Sequence, residues 1–394
     1  MDQIKISDLA RPHFKANPYP FYARLRAETP VCRTTLFRQP TWLITRYEDV
    51  VKVLKDDVFL KDWPPRTKWI HRLSGPITRH MLNQDGPDHT RLRTLVHKAF
   101  TPSLVERLRE RIQNVCDELL DELMRNGRMD LMNGYALPLP LTIIAELLGI
   151  PAAERIRFYH LARSSLSASN LVGVFRSLPD QRFIIRRLRK LIAERRREPR
   201  DDLITALVQV QEAGDKLSEE ELIGMINLLL IAGYETTVNL IGNSALALIQ
   251  HPKQRELLLQ NPGVADLAIE ELLRFTSPLD IASQRFASED VQIGAVTIPQ
   301  GHIVVAMVGS ANHDESQFTD PEILDLTRNP NRHVAFGQAV HFCIGAPLAR
   351  LEGQIALMTL FRRFATLRLA QPAETLRWRK SLIVRGLEEL RVAI

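Results

Sequence analysis

The segment that most constrains the fold is FGQAVHFCIGAPLARLE, residues 336–352, which presents one cysteine in a turn before a helix. Gly337 and Gly345 are expected to allow backbone angles that a Cβ atom would oppose. Pro347 suits the first turn of a helix, and the apolar residues after it recur with helical spacing. Amide groups at a helix N-terminus favour a negative sulfur. Cys343 is therefore predicted to stay ionised and to bind a metal, although a buried structural cysteine is the simpler alternative.

A second pattern is DGPDHTRLR, residues 85–93, which places a turn before a helix. His89 and Arg93 lie four residues apart, so they share one face of that helix. Two cationic donors on one face can hold a carboxylate. A solvated basic face is the alternative if this segment is considered by itself.

A long helix is predicted from Ser218, with three glutamates suited to its N-terminal turn. Its middle, AGYETT at residues 232–237, places a glycine, an acid and two β-branched hydroxyl residues inside an apolar helix. Each of these residues is intrinsically costly there. Such departures from local preference tend to mark a functional site. Polar groups satisfied by backbone carbonyls are the structural alternative.

Charged residues follow in a fixed order after this helix. Glu271 and Arg274 form an ExxR pair whose members can meet on a helix surface, which by itself is weak evidence. Arg285 follows in SQRFA, and Arg328 and His333 follow in LDLTRNPNRH.

Taken together, these segments resemble the motifs of the cytochrome P450 monooxygenases, in the family's order and over nearly the whole chain. The resemblance is most specific around Cys343, in Phe336-Gly337, His341 and Arg350. One departure is Ala339, which stands where the family usually has a glycine.

This resemblance implies a mainly α cytochrome P450 fold, a single large helical domain over residues 1–394 with a minor β region. It implies haem b as the cofactor and Cys343 as the proximal ligand of its iron. Arg328 is expected to join the ExxR pair, and the role of His333 stays open. The residues implied for haem binding are His89, Arg93, Arg285, His341 and Cys343.

The pair Glu235-Thr236 is similar to the family's acid-alcohol motif, which supplies protons during oxygen activation. The implied reaction inserts one oxygen atom from O2 into a hydrophobic small molecule, by hydroxylation or epoxidation. Electrons would come from NAD(P)H through a separate reductase and a ferredoxin or flavodoxin, because the chain shows no flavin or iron–sulfur segment. The alternatives are a peroxide-driven peroxygenase and a non-catalytic haem-binding protein, and the intact pair argues against both.

The substrate is expected to be hydrophobic and of moderate size, for instance a terpenoid, steroid, fatty acid or polyketide. The expectation rests on mainly apolar residues that would line the pocket by resemblance. They are Trp63 to Leu73, Ser165 to Phe175, Leu229, Ala232, Ile281 to Ser283 and Leu382 to Val384.

Cysteine content and the N-terminal sequence indicate the cellular compartment. Three scattered cysteines and no CxxC fit a reducing cytosol. The N-terminus lacks the pattern of a signal peptide, and the longest apolar run is far below membrane-spanning length. The protein is therefore predicted to be cytoplasmic, without a membrane partner.

Charge gives a weaker indication. The net charge of +6 permits an acidic partner without requiring nucleic acid. A basic helix, FIIRRLRKLIAERRREPR, begins at Phe183. Nucleic-acid contact there is conceivable, but a solvated amphipathic face is preferred because apolar residues form an inward stripe. No nucleic-acid partner is predicted.

Secondary structure outside the motifs is expected as follows. Val31 to Leu36 and Thr41 to Thr45 form a hairpin, and Ser103 to Asn126 is helical. Val291 to Val296 forms a strand, and Leu382 to Val384 forms a sheet fragment with Leu390 to Val392.

Overall fold

The protein is described by a computed structural model that covers residues 5–36, 38–62, 75–127, 129–166, 171–212 and 217–394. Helices form most of the described chain. The α-helices are Pro12–Ala16, Tyr19–Glu28, Tyr47–Lys55, Gly86–Ala99, Pro102–Arg107, Arg109–Asn126, Pro138–Leu148, Ala152–Leu166, Leu171–Arg197, Leu203–Glu212, Glu219–Gln250, Pro252–Gln260, Ala265–Thr276, Val308–Ala311 and Ala346–Arg363. The strands are β1 (Val31–Leu36), β2 (Gln39–Ile44), β3 (Phe59–Leu60), β4 (Arg285–Ala287), β5 (Val291–Ile293), β6 (Val296–Ile298), β7 (Ile303–Ala306), β8 (Arg368–Leu369) and β9 (Val392–Ala393).

The chain divides into two compact units, each assembled from separate stretches of sequence. The first unit comprises Met1–Phe59, Arg109–Pro140 and Glu235–Ile394, and the second comprises Leu60–Leu108 and Leu141–Tyr234. The prediction of one domain over residues 1–394 stays a prediction.

The sheet of the first unit has the strand order β1-β2-β7-β4-β3. The predicted hairpin is confirmed, since β1 and β2 pair antiparallel from Val31 opposite Ile44 to Leu36 opposite Gln39. Strand β7 pairs parallel with β2 and antiparallel with β4. All four β7 residues are buried, which explains their continuous apolar sequence, IVVA.

Three sequence predictions about secondary structure are corrected. Val291 to Val296 is not one strand, because Gly294 at φ +55° turns the chain and β5 pairs antiparallel with β6. The helix predicted from Ser103 is interrupted at Leu108, where a new helix follows at Arg109.

The third correction concerns the C-terminal sheet fragment. Val384 forms an isolated bridge with Leu279, whereas β9 pairs with β8. These pairings depend on distant segments, so alternation within the C-terminal sequence alone could not identify them.

The second unit is helical in its described part. Its basic helix, Leu171–Arg197, packs against Ala152–Leu166 and Leu203–Glu212. The predicted inward stripe is largely confirmed, because Ile184, Leu188, Leu191 and Ile192 are buried while Ile185 is half-buried.

The helix Glu219–Gln250, here called the central helix, is 32 residues long. Among the described residues it is the one unbroken helix with the length and hydropathy of a membrane span. In that apolar window, 67% of the residues are buried inside the structure, as in the core helix of a globular protein.

Candidate active site

The loop before helix Ala346–Arg363 presents Cys343 at the surface. The Cys343 backbone N–H donates to the Phe336 carbonyl at 2.8 Å, and the Ala346 N–H donates to the Cys343 carbonyl at 3.3 Å. Pro347 occupies the first turn of the helix. The predicted turn before a helix is confirmed, and the exposed thiol precedes a helix N-terminus.

Backbone angles in this loop differ in part from expectation. Gly337 has φ +73°, a conformation that favours glycine. Gly345 lies at φ −84° and ψ 2°, which does not require glycine, so that part of the prediction is wrong. Ala339 has φ +53°, at the start of the 3-10 turn Ala339–His341. The left-handed conformation costs an alanine about 1–2 kcal/mol.

A charged cluster ties the cysteine helix to the helix Ala265–Thr276. Arg350 donates to both carboxylate oxygens of Glu270, at 2.6 and 2.8 Å, and His333 Nε2 lies 3.1 Å from Glu270 Oε2. Burial raises the pKa of Glu270, but hydrogen bonds from Arg350 and then His333 outweigh it and bring that pKa to about 2. The role left open for His333 is thus a structural contact with Glu270.

The ExxR pair is fully buried. Arg274 donates to Glu271 through Nε at 2.7 Å and Nη2 at 2.8 Å. Arg328 Nε lies 3.2 Å from the Glu271 carboxylate, so the prediction that Arg328 joins this pair is confirmed. Asn331 also donates to Glu271, at 3.0 Å.

Arg285, predicted to bind the cofactor, lies in β4 and is buried. Its Nη1 donates to the Phe59 carbonyl at 3.1 Å and its Nη2 donates to the Leu54 carbonyl at 3.2 Å. Arg328, and not Arg285, is the arginine that contacts Glu271 of the ExxR pair, as predicted. His341 is half-buried in the 3-10 turn Ala339–His341. Arg285, His341 and Cys343 all belong to the first compact unit.

His89 and Arg93 belong to the second unit. Both lie on the helix Gly86–Ala99, four residues apart as predicted, with His89 buried and Arg93 half-buried. Arg91, which lies between them in the sequence, forms ion pairs within the protein: it donates to Glu221 at 2.5 Å and to Asp88 at 3.0 Å.

The middle of the central helix has one accessible face. Tyr234, Glu235 and Thr237 are buried, whereas Ala232 is exposed and Thr236 is half-buried. Residues four apart share a helix face, so Ala232 and Thr236 present a methyl group and a hydroxyl on the same side.

Gly233 in this segment is required by packing. A Cβ atom at this position would lie 2.8 Å from Cγ1 of Ile144, closer than side chains approach each other. The glycine is therefore explained by helix packing within the second unit.

Glu235 has a partner that the sequence did not reveal. Arg379 Nη1 donates to Glu235 Oε1 at 3.2 Å, and both side chains are buried. Arg379 lies 144 residues further along the chain, in a segment without a recognisable motif. The buried acid is therefore neutralised by a single arginine contact.

Two segments expected to line the pocket are joined by backbone hydrogen bonds. The N–H groups of Asp280 and Ile281 both donate to the Ile383 carbonyl, at 2.8 and 3.2 Å. Lys15 pairs with Asp280 and donates to the Leu382 carbonyl at 3.3 Å. Trp63 to Leu73 lies outside the described residues, as do the side chains from Ser165 to Phe175.

Comparison with known proteins decides the family. The family described as "Cytochrome P450" matches residues 8–151 and 179–386. The chain belongs to the cytochrome P450 family.

Relatives of this cytochrome P450 agree over almost their full length. The "Polyketide biosynthesis cytochrome P450 PksS" of Bacillus subtilis is 43% identical, over 97% of this chain and 96% of that protein. The "Vitamin D(3) 25-hydroxylase" of Pseudonocardia autotrophica is also 43% identical, over 98% of this chain and 96% of that protein.

Solved structures agree as well. That of PksS has a TM-score of 0.90 at 42% identity, covering 98% of both chains. A structure of P450BioI, described as bound to an acyl carrier protein carrying hexadec-9Z-enoic acid, has a TM-score of 0.90 at 39% identity, covering 97% of this chain and 99% of that one.

Membership makes the protein a haem-binding monooxygenase, and its fold is the mainly α cytochrome P450 fold. The described residues fit iron protoporphyrin IX. Cys343 offers an exposed thiol beside a helix N-terminus, where a negative sulfur is favoured. The central helix offers an accessible methyl group and hydroxyl at Ala232 and Thr236. When bound, a thiolate-ligated haem supplies the oxygen-activating chemistry.

Proposed function

We propose that this cytochrome P450 acts in the cytoplasm and receives electrons from NAD(P)H through a separate reductase and a ferredoxin or flavodoxin. Its substrate is a hydrophobic acyl or polyketide-like molecule. The observation that carries the proposal is the place of Cys343 just before the N-terminus of the helix Ala346–Arg363, where a thiolate is favoured. The substrate class is supported by the relatives, because one is named for polyketide biosynthesis and another was solved with an acyl carrier protein.

Cys343 is the proposed proximal ligand, and the other two cysteines are poorly suited to that role. Burial raises the pKa of Cys116 to about 12 and also raises that of Cys32. Since the thiolate is the form that binds metal, burial disfavours both. Exposure and the helix N-terminus favour Cys343.

This assignment is tested by the reduced carbon monoxide complex. The parent protein should show the long-wavelength absorption band of a thiolate-ligated haem. Cys343→His should abolish the band, whereas Cys32→Ser and Cys116→Ser should keep it. A band that survives in the Cys343 variant would refute the assignment.

The propionates of haem are charged groups that need donors when partly removed from water. The proposed donors are His89, Arg93, Arg285 and His341. Arginine should contribute more than histidine, because a guanidinium can donate two parallel hydrogen bonds to one carboxylate.

Glu235 and Thr236 are proposed to control protons. The half-buried Thr236 hydroxyl can donate a hydrogen bond toward the accessible face of the central helix, while the buried Glu235 carboxylate passes protons to it. Arg379 holds Glu235 Oε1 and leaves its second oxygen available for proton exchange.

A peroxide-driven peroxygenase is the competing activity. It would not need the acid-alcohol pair, so the presence of both Glu235 and Thr236 favours the use of O2. Product formation with NAD(P)H and redox partners, compared with product formation from added hydrogen peroxide, separates the two activities. A substrate that forms product only with peroxide would refute the proposal.

A further inference from the structure

The positive charge of this protein is concentrated in one stretch. Residues 182–200 contain nine arginine or lysine residues and two glutamates, a net charge of +7. The whole chain has a net charge of +6, so the remainder is close to neutral. Such a concentration costs self-repulsion, and clustered charge of one sign attracts oppositely charged partners.

The structure places seven of these nine cations in two sets; of the other two, Arg196 donates to Gln211 and Arg200 lies beyond the end of the helix. The first set is paired within the second unit, since Arg187 donates to Glu154 at 2.5 Å and Arg189 lies 3.2 Å from Glu219. Arg195 pairs with Asp202, and both side chains are almost fully buried. These cations hold the basic helix to its neighbours.

The second set, here called the basic stripe, consists of Arg182, Arg186, Lys190 and Arg197. All four side chains are exposed, and none forms an ion pair within the part of the chain that the structure describes. At 100° per residue they fall within an arc of about 80° and extend over about 22 Å of the helix. The stripe is thus a row of exposed cations along one face of the helix.

We propose that the basic stripe docks an acidic acyl carrier protein that delivers the substrate as a thioester-linked acyl chain. This inference rests on the proposed function, whose substrate class it narrows. An acidic helix of the carrier would lie along the row of cations. Such charge complementarity accelerates association and fixes the orientation of the two proteins.

The position of the stripe in the sequence favours a substrate carrier over other acidic partners. Arg182 follows Phe175, the end of a segment expected to line the pocket, by seven residues along the same helix. An electron donor is expected to approach the elements that hold Cys343, and the stripe lies on a different helix from the one that follows Cys343.

The test measures binding of a fluorescently labelled bacterial acyl carrier protein, loaded with a hexadecanoyl chain, to the haem-containing enzyme by anisotropy. Replacing three stripe residues, in Arg182→Glu/Arg186→Glu/Lys190→Glu, should raise the dissociation constant about tenfold or more. The neutral variant Arg186→Gln/Lys190→Gln should raise it by a smaller factor. Added salt should weaken binding of the parent more than that of the triple variant.

The matched control reverses three exposed cations on other helices, in Arg125→Glu/Lys253→Glu/Arg362→Glu. It changes the net charge equally and should leave the dissociation constant within about twofold. Equal weakening by both triple variants would overturn the proposal, because total charge would then explain the effect. So would undiminished carrier binding to the stripe variant.

Two further measurements show whether a negative result contradicts the docking proposal or the proposed function. Binding of a 20-base-pair DNA duplex and of a ferredoxin is measured in the same way. If either one binds the parent through the stripe and the loaded carrier does not, the proposed partner is wrong. The reduced carbon monoxide spectrum is recorded on the same samples. Loss of the thiolate band in the parent would refute the proposed function, whereas a normal band without carrier binding would refute only the docking proposal.

Discussion

Two buried glutamate–arginine pairs in the same unit differ in how completely their charges are satisfied. Glu271 receives two hydrogen bonds from Arg274 and one each from Arg328, Asn331 and the Asp325 backbone. Arg274 also donates to three backbone carbonyls.

Glu235 receives one hydrogen bond from Arg379, at 3.2 Å. Glu235 Oε2 and Arg379 Nε have no hydrogen-bond partner among the described residues. Full satisfaction fixes a buried charge in one geometry, whereas partial satisfaction leaves capacity for water or a moving proton. The first pair therefore suits a scaffold, and the second has the unsatisfied oxygen that the proposed proton transfer requires.

The largest expected effect is on the saturated pair. Glu271→Gln leaves Arg274 and Arg328 without their shared negative charge and should lower the free energy of unfolding by about 3–5 kcal/mol. Glu235→Gln also leaves a buried arginine without its counter-charge, but it disturbs one hydrogen bond instead of several and should cost less, about 1.5–3 kcal/mol. Urea unfolding of both variants provides the measurement. Equal losses would contradict the distinction between scaffold and proton pair.

The next effect is catalytic and concerns Thr236. Thr236→Ala should leave haem content and substrate binding almost unchanged, because it removes a half-buried hydroxyl and methyl and improves helix propensity. Positioned proton transfer typically contributes about a hundredfold or more. Product formed per NAD(P)H oxidised should therefore fall steeply while hydrogen peroxide is released.

Thr236→Ser is the matched control for that measurement, since it keeps the hydroxyl and loses only the methyl group. It should retain most of the coupling between NAD(P)H oxidation and product formation. If the alanine variant is as well coupled as the parent, the hydroxyl has no such role and the peroxygenase activity gains support.

The same contrast explains what the sequence could predict. Glu271 and Arg274 are three residues apart on one helix, and the order of motifs was enough to assign Arg328 to them. Arg379 could not be found, because its contact with Glu235 joins segments 144 residues apart and no local pattern records it.

Conformation was harder to predict than position. The place of Cys343 before a helix followed from glycine and proline chemistry, yet only Gly337 of the two glycines has a positive φ. His333 stayed unassigned because its partner, Glu270, lies 63 residues earlier in the chain, on the helix Ala265–Thr276. Side chains whose partners are distant in sequence take their roles from tertiary structure.

A third carboxylate, Glu270, is intermediate between Glu271 and Glu235 in how completely its charge is satisfied. Its titration is expected to give the smallest of these changes in unfolding free energy. It is paired with Arg350 and His333, as Glu271 is with its arginines, but its side chain is 24% exposed. Its pKa in the folded protein is about 2, below the ordinary value of 4.5. A depressed carboxyl pKa contributes stability above pH 4.5, and that contribution is lost as the pH falls from about 4.5 through 2.

Linkage gives the size of this loss. Between pH 7 and pH 4 the contribution of Glu270 should fall by about 0.8 kcal/mol. Glu270→Gln lacks this titration, so the difference in unfolding free energy between parent and variant should shrink by that amount at pH 4. Urea unfolding at both pH values measures it. Glu289→Gln, at an exposed carboxylate, is measured in parallel as the control for removing a surface charge. A constant difference for Glu270→Gln would mean that Arg350 and His333 do not hold the Glu270 carboxylate in its charged form, which would place this cluster with the loosely held Glu235 pair.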